Sequence, residues 1–216
     1  MKNSLVKLTA IIMMCCLFAA CKPKPKEQPK EEVKNAKTLE NLQAAFKGET
    51  TASAKYLEFA KKAKEEGYTE IAILFEAASK SEDIHARNHK AVILKLGESV
   101  PEIKPEFEVK TTKENLESAI HGEGYEVDSM YPGFIQIAKD ENVADAIKSF
   151  TWAIDTEKKH RTFYTTALEA ISSKKVKELP KFYAVCPKCG NTFNESALSA
   201  NCDFCMTAKE KYILFK

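Results

Sequence analysis

Apolar residues recur every three or four positions in four long stretches of the chain, the rhythm of a helix that buries one face. Leu42, Phe46, Tyr56 and Ala60 mark the first stripe, Ile71, Leu74, Ala78, Val92 and Leu96 the second, Leu116, Ala119, Met130 and Ile137 the third, and Ile147, Phe150, Ile154, Tyr164, Leu168 and Ile171 the fourth. The pattern predicts helices over about 39–66, 69–96, 111–140 and 143–172. Gly67 and Gly97, each just past the last periodic residue, stop the first two. Thr111-x-x-Glu114 opens the third as a capping box, and Pro132 is expected to kink it. Short connections join the first helix to the second and the third to the fourth. The polar, proline-broken segment 98–110 is long enough to cross the end of a bundle. The predicted fold is an all-α four-helix bundle with one long crossover.

The same stripes carry carboxylates. Glu49 lies on the first, Glu82 on the second, Glu123 and Glu126 on the third and Glu157 on the fourth, while His85 and His160 follow Glu82 and Glu157 by three positions. Residues three apart share a helix face, so each Glu-x-x-His pair aims a carboxylate and an imidazole at one point in space. Ionised carboxylates are rarely left in a core unless paired or metal-bound, so their place on buried stripes argues for cations between the helices. One glutamate from each of two helices, with Glu-x-x-His from each of the other two, is the di-metal carboxylate pattern of ferritin-like bundles. His89, one turn after His85 where an apolar residue is more usual, reads as a support for the ligands or a satisfied core residue rather than a ligand. His121 is expected to face outward.

Composition narrows the partners. At 216 residues, 44% hydrophobic and 30% charged, the chain can bury one domain and a small satellite, and its net charge of +2 with no basic stripe excludes a nucleic-acid binder. Lys2 and Lys7 precede an apolar run from Leu8 to Ala20, too short to span a bilayer comfortably, which reads as a secretion signal over residues 1–20. Leu17-Phe18-Ala19-Ala20-Cys21 resembles the bacterial lipobox, with Phe18 where leucine is usual, and implies lipidation at Cys21 and an extracytoplasmic, membrane-anchored lipoprotein. The competing readings are an uncleaved anchor and a simple secreted start. Residues 21–37, rich in Lys, Pro and Glu, form a tether that cannot bury enough surface to fold. The bundle then occupies 38–173, a linker 174–182 and a small metal-binding domain 183–216. In that last domain Cys186-x-x-Cys189 and Cys202-x-x-Cys205, twelve residues apart, have the spacing of a tetrahedral metal site rather than of disulfides.

Together these segments resemble the rubrerythrins: Gly48-Glu49-Thr50, Glu82-Asp83-Ile84-His85-Ala86, Gly122-Glu123-Gly124-Tyr125-Glu126, Met130-Tyr131-Pro132, Glu157-Lys158-Lys159-His160, and the two cysteine knuckles, over roughly residues 38–216. The resemblance implies a di-iron centre in which Glu82 and Glu157 bridge, Glu49 and Glu123 each cap one iron, and His160 binds throughout. It also implies that one iron exchanges between Glu126 when oxidised and His85 when reduced, as an anionic carboxylate suits ferric iron and a neutral imidazole ferrous. Tyr56 and Tyr131 match tyrosines that hydrogen-bond the site; packing alone also explains them. The tail resembles a rubredoxin module with one iron on Cys186, Cys189, Cys202 and Cys205, although zinc ribbons share the spacing. Phe182, Tyr183, Phe193, Tyr212 and Phe215 serve either as a water-excluding cover for the thiolates or as ordinary core.

The expected function is a peroxidase that reduces hydrogen peroxide to water in oxidative-stress defence, taking electrons from a donor the sequence does not identify. The resemblance further implies a homodimer in which one subunit's tail reaches the other's bundle. The rivals are a ferroxidase or iron-binding lipoprotein using the same bundle, and a non-enzymatic zinc-ribbon protein on a helical stalk.

Overall fold

Four helical rods pack side by side in the computed structural model, which describes residues 35–216. The signal, Cys21 and residues 21–34 of the tether lie outside the described residues. Helix α1 spans Ala36–Glu65, α2 Thr69–Lys95, α3 Thr112–Tyr125, α4 Tyr131–Asp140 and α5 Ala144–Ser172. The α1–α2 and α4–α5 connections are short, and the irregular segment between α2 and α3 is the long crossover. The ferritin-like bundle read from the sequence is thus the fold observed. Its punctuation is as expected at three points. Gly67 and Gly97 take φ of +80° and +89°, and Thr111 accepts from the Glu114 amide while its own amide donates to Glu114 at 3.1 Å.

The third rod differs from its prediction. It is interrupted by a five-residue π-helical segment, Glu126–Met130, and Pro132 lies in the first turn of α4, where its missing N–H leaves no bond unmade. The interruption, not the proline, is the irregularity. It also moves the buried face by one residue: Tyr131 and Ala138 are fully buried, whereas the stripe expected at Met130 and Ile137 is only half-buried.

On every rod the site glutamates fall between two apolar clusters. One gathers Tyr56, Ile84, Leu116 and Tyr164, the other Leu42, Val92, Tyr131 and Phe150. Tyr56, Phe75 and Tyr164 close one end with ring centroids 5.2–5.8 Å apart. Such aromatic pairs contribute about 0.5–1.5 kcal/mol each beyond the area they bury.

The C-terminal module is a three-stranded antiparallel sheet, β1 Tyr183–Val185, β2 Thr192–Asn194 and β3 Ile213–Phe215, in the order β2-β1-β3. Three-residue strands cannot hold a sheet alone, so the module depends on its cysteine site and on the helices beneath it. Tyr183 and Val185 join the bundle core, with Phe215 packed against it. Phe193 and Tyr212, stacked at 4.9 Å, flank the cysteines instead, and Trp152 of α5 packs on the same cluster. Four of the five aromatic residues therefore divide between the two roles the sequence left open, and Phe182 joins neither cluster.

Candidate metal centre

Glu49 of α1, Glu82 and His85 of α2, Glu123 of α3, and Glu157 and His160 of α5 converge in the middle of the bundle, each 2% exposed or less. They form two overlapping groups, Glu49–Glu82–His85–Glu157 and Glu82–Glu123–Glu157–His160, whose ligand atoms lie within 4.8 Å of one another. The shared members are Glu82 and Glu157, and their oxygens are divided between the two imidazoles. Glu82 Oε2 and Glu157 Oε1 lie 3.0 and 2.9 Å from His85 Nδ1, while Glu82 Oε1 and Glu157 Oε2 lie 3.1 and 2.8 Å from His160 Nδ1. Glu49 stands on the His85 side at 3.8 Å and Glu123 on the His160 side at 3.9 Å. The arrangement is close to two-fold symmetric, with a tyrosine at each end. Tyr131 donates to Glu49 Oε1, and Tyr56 donates to Glu123 Oε1 at 2.7 Å.

Such a cluster needs positive charge. Burial, reinforced by the carboxylates of Glu126 and Glu82, raises Glu49 well above the usual carboxylate range, and burial with Glu157 and Glu82 does the same to Glu123. At Glu82 burial again opposes ionisation, but the His160 and His85 imidazoles outweigh it and bring the carboxyl down to about 2. His160 is lifted to about 9 against burial by Glu82 and Glu157. Glu49 Oε2, Glu82 Oε1, both oxygens of Glu157 and His160 Nδ1 have no hydrogen-bond partner among the described residues. Orphaned buried oxygens aimed at a common centre are costly unless a cation satisfies them, and two divalent ions match the four carboxylates in charge. The donor set, oxygen with one nitrogen per ion, suits iron.

Glu126, the first residue of the π segment, is half-buried and belongs to neither group. The structure thus holds His85, not Glu126, at the centre. Burial, with Glu157 and Glu82, raises the Glu126 carboxyl well above its ordinary value. His121 faces outward, as expected.

A second site lies in the tail. Cys186, Cys189, Cys202 and Cys205 are free thiols brought together, with Sγ–Sγ separations of 3.5 Å for Cys186–Cys205 and Cys189–Cys202. Disulfide sulfurs sit at about 2.05 Å, and a tetrahedron of bonds of about 2.3 Å puts its sulfurs about 3.8 Å apart, so the geometry is that of a metal cage. The neighbouring Cys189 and Cys202 sulfurs draw Cys186 down to about 3.

The sequence sets the tail well beyond the fourth helix; in the structure it packs on α2 and α5 of the same chain. Ser81 Oγ donates to the Gly190 carbonyl at 2.7 Å, Asn88 Nδ2 to the Lys188 carbonyl at 3.0 Å, and Lys159 Nζ to Asn191 Oδ1 at 2.7 Å. His160 Nε2 lies 2.9 Å from Thr192 Oγ1. Gly190 sits so close to His85 that a methyl group built on it would overlap the imidazole Nε2. Both histidines of the carboxylate cluster therefore touch the cysteine module on the ring edge opposite Nδ1, a contact that orients a ligating imidazole. Ser81, Gly190 and Thr192 carry no motif that marks this contact in the sequence.

The bundle and its two clusters define a ferritin-like di-iron carboxylate protein with a rubredoxin-like domain. Within that class, the rubrerythrin family model matches residues 40–168. The chain is 33% identical over 184 residues to Rubrerythrin-2 of Clostridium acetobutylicum, covering 85% of this chain and 99% of that one. It is 37% identical over 186 residues to nigerythrin of Nitratidesulfovibrio vulgaris, covering 82% and 86%. A solved structure of nigerythrin in a mixed-valent state superposes with a TM-score of 0.73 at 36% identity, covering 82% of this chain and 86% of that one. The chain belongs to the rubrerythrin family.

Proposed function

We propose that this protein is a non-haem di-iron peroxidase that reduces hydrogen peroxide to water. The observation that carries the reading is the contact of the cysteine module with both ligand histidines, Gly190 at His85 and Thr192 at His160. A protein that only stores or oxidises iron has no use for an electron-supplying module at that place.

Two ferrous ions held by Glu49, Glu82, His85, Glu123, Glu157 and His160 would supply the two electrons and the Lewis acidity that O–O cleavage needs. The chain supplies the rest. Glu82 and Glu157 would be shared by the two ions, since each divides its oxygens between the two histidines, and Glu49 and Glu123 would each hold one ion. Tyr131 and Tyr56 fix the capping carboxylates and hold a proton at their hydroxyls, because burial with the adjacent glutamates pushes both phenols well above their ordinary range. Glu126 would replace His85 on an oxidised ion, as a carboxylate balances the added positive charge. One link between the two ligand sets runs from Cys189 through Gly190 to the His85 edge, within one chain. We propose a homodimer as the assembly, with each chain carrying its own electron route.

Stopped-flow oxidation of the anaerobically reduced protein tests the reading. Peroxide is expected to oxidise it faster than oxygen does, with many turnovers once a reductant is present. Single oxidation followed by iron release or deposition would establish the ferroxidase reading instead.

We also propose that Cys21 carries lipid and tethers the protein outside the cytoplasm. Cys21→Ser is expected to move the protein from the membrane to the soluble fraction with its metal content unchanged, because the tether offers little apolar area of its own. Full membrane retention of the variant would refute lipidation at that cysteine.

A further inference from the structure

His89 is a buried ionisable side chain that the metal ligands do not account for. It is fully buried, between the rings of Tyr131 and Phe150. Burial, with the His85 imidazole nearby, lowers its pKa. An aliphatic residue would fill this position on α2 without desolvating two ring nitrogens. Both nitrogens are nevertheless used. Nδ1 lies 2.8 Å from the Ser149 hydroxyl of α5, and Nε2 lies 3.2 Å from the Tyr131 hydroxyl of α4. Tyr131 in turn donates to Glu49 Oε1.

The outer end of this line reaches the surface. Ser149 lines a groove of about 220 Å³ between α2 and α5, together with Asn88, Asp145, Lys148 and Trp152. Water occupies about 30 Å³ per molecule in the liquid, so the groove takes several. Hydrogen bonds thus lead without a gap from the wall of a groove large enough for water to a carboxylate of the metal centre. The six ligand residues are themselves closed off from solvent, each 2% exposed or less. Peroxide reduction, H2O2 + 2 e− + 2 H+ → 2 H2O, consumes two protons at that closed place.

We propose that Ser149, His89 and Tyr131 form a proton relay from the groove to Glu49, with Ser149 and His89 as positioning residues that act through Tyr131. The donors all point one way. Because Tyr131 directs its hydrogen to Glu49 Oε1, its oxygen accepts from Nε2–H, which leaves Nδ1 to accept from the Ser149 hydroxyl. A proton entering at Ser149 from water therefore pushes one from Ser149 to Nδ1, one from Nε2 to Tyr131, and one from Tyr131 to Glu49. One proton enters, one leaves, and His89 changes tautomer but not charge. Return of His89 to its Nε2–H tautomer, together with rotation of the two hydroxyls, resets the line.

The relay rests on the peroxidase reading only for the demand for protons, and two measurements separate the claims. The first needs no turnover: in the full chain loaded with zinc, solvent deuterium exchange at the His89 ring N–H is followed by NMR. Ser149→Ala is expected to slow that exchange at least about tenfold, a threshold set below the roughly 10²–10⁴-fold that a positioned proton-transfer group contributes. Ser149→Thr, which keeps the hydroxyl, is expected to restore it. The second is peroxide oxidation of the reduced iron protein, in which Ser149→Ala and His89→Gln are each expected to lose at least about tenfold in rate with iron content unchanged. Exchange at wild-type speed in Ser149→Ala, or undiminished peroxide rates in both variants, overturns the relay. If the wild-type chain does not reduce peroxide, the proposed function fails and the exchange measurement alone decides the relay.

Discussion

Replacing Cys189 by serine is expected to abolish the visible absorption of a ferric thiolate site while leaving a single oxidation of the reduced di-iron centre by peroxide nearly intact. Continuous turnover should fall by about a hundredfold or more, equivalent to roughly 2.7 kcal/mol in the barrier. The argument is one of ligand chemistry. Four soft thiolates stabilise both oxidation states of a single iron, and a hydroxyl in place of one of them does not. Cys189 is buried and lies one residue before Gly190, the point where the module meets His85. The carboxylate cluster shares no residue with the cysteine cluster, so its own redox step has no reason to change. Single-turnover and steady-state assays on the same sample check this, and wild-type steady-state activity in the variant would remove the cysteine module from the electron route.

Gly190→Ala is expected to uncouple the two sites while each keeps its iron. Gly190 has a φ of +85°, a backbone conformation that costs a residue with a Cβ about 1–2 kcal/mol. The larger effect is steric. The new methyl would overlap His85 Nε2 and press on the Ser81 carbonyl at 3.2 Å, so the knuckle must lift from α2. Lifting breaks the Ser81 to Gly190 bond and opens the contact at His160. Electron return from the cysteine iron should then slow at least about tenfold, the effect of roughly 1.4 kcal/mol on a barrier. Full iron content, an unchanged thiolate spectrum and slow re-reduction of the oxidised centre are the expected signature. Re-reduction at the wild-type rate would show that electrons do not cross at Gly190, and the electron route inside one chain would fail with it.

Much of the bundle was legible because ligands and apolar residues obey the same period. Glu82 and His85 lie on the stripe of Ile71, Leu74 and Ala78, and Glu157 and His160 on that of Phe150, Ile154 and Tyr164, so a single count of threes and fours found helix, face and metal site together. The third rod escaped that count. Its rule assumes one period throughout, and nothing in the residues of 126–130 announces a change, so the buried face was misplaced by one residue beyond Glu126. The fold-back of the tail was illegible for a different reason. It rests on single hydrogen bonds from Ser81 and His160 to residues 109 and 32 positions away, and on the lack of a side chain at Gly190. Contacts of this kind belong to tertiary geometry and leave no periodic trace. His89 stood out only as a histidine where an apolar residue was expected, a departure whose meaning depended on Ser149 and Tyr131 arriving from two other helices.

The π segment has a consequence for how one rod can serve both ends of the centre. Glu123 and Tyr131 are eight positions apart, and in an unbroken α-helix, winding about 100° per residue, they would point about 80° away from each other. The i to i+5 bonding of residues 126–130 winds more slowly and takes back much of that angle. The segment is therefore a phase corrector: it lets Glu123 face His160 and, eight residues later, Tyr131 face Glu49 from the same rod.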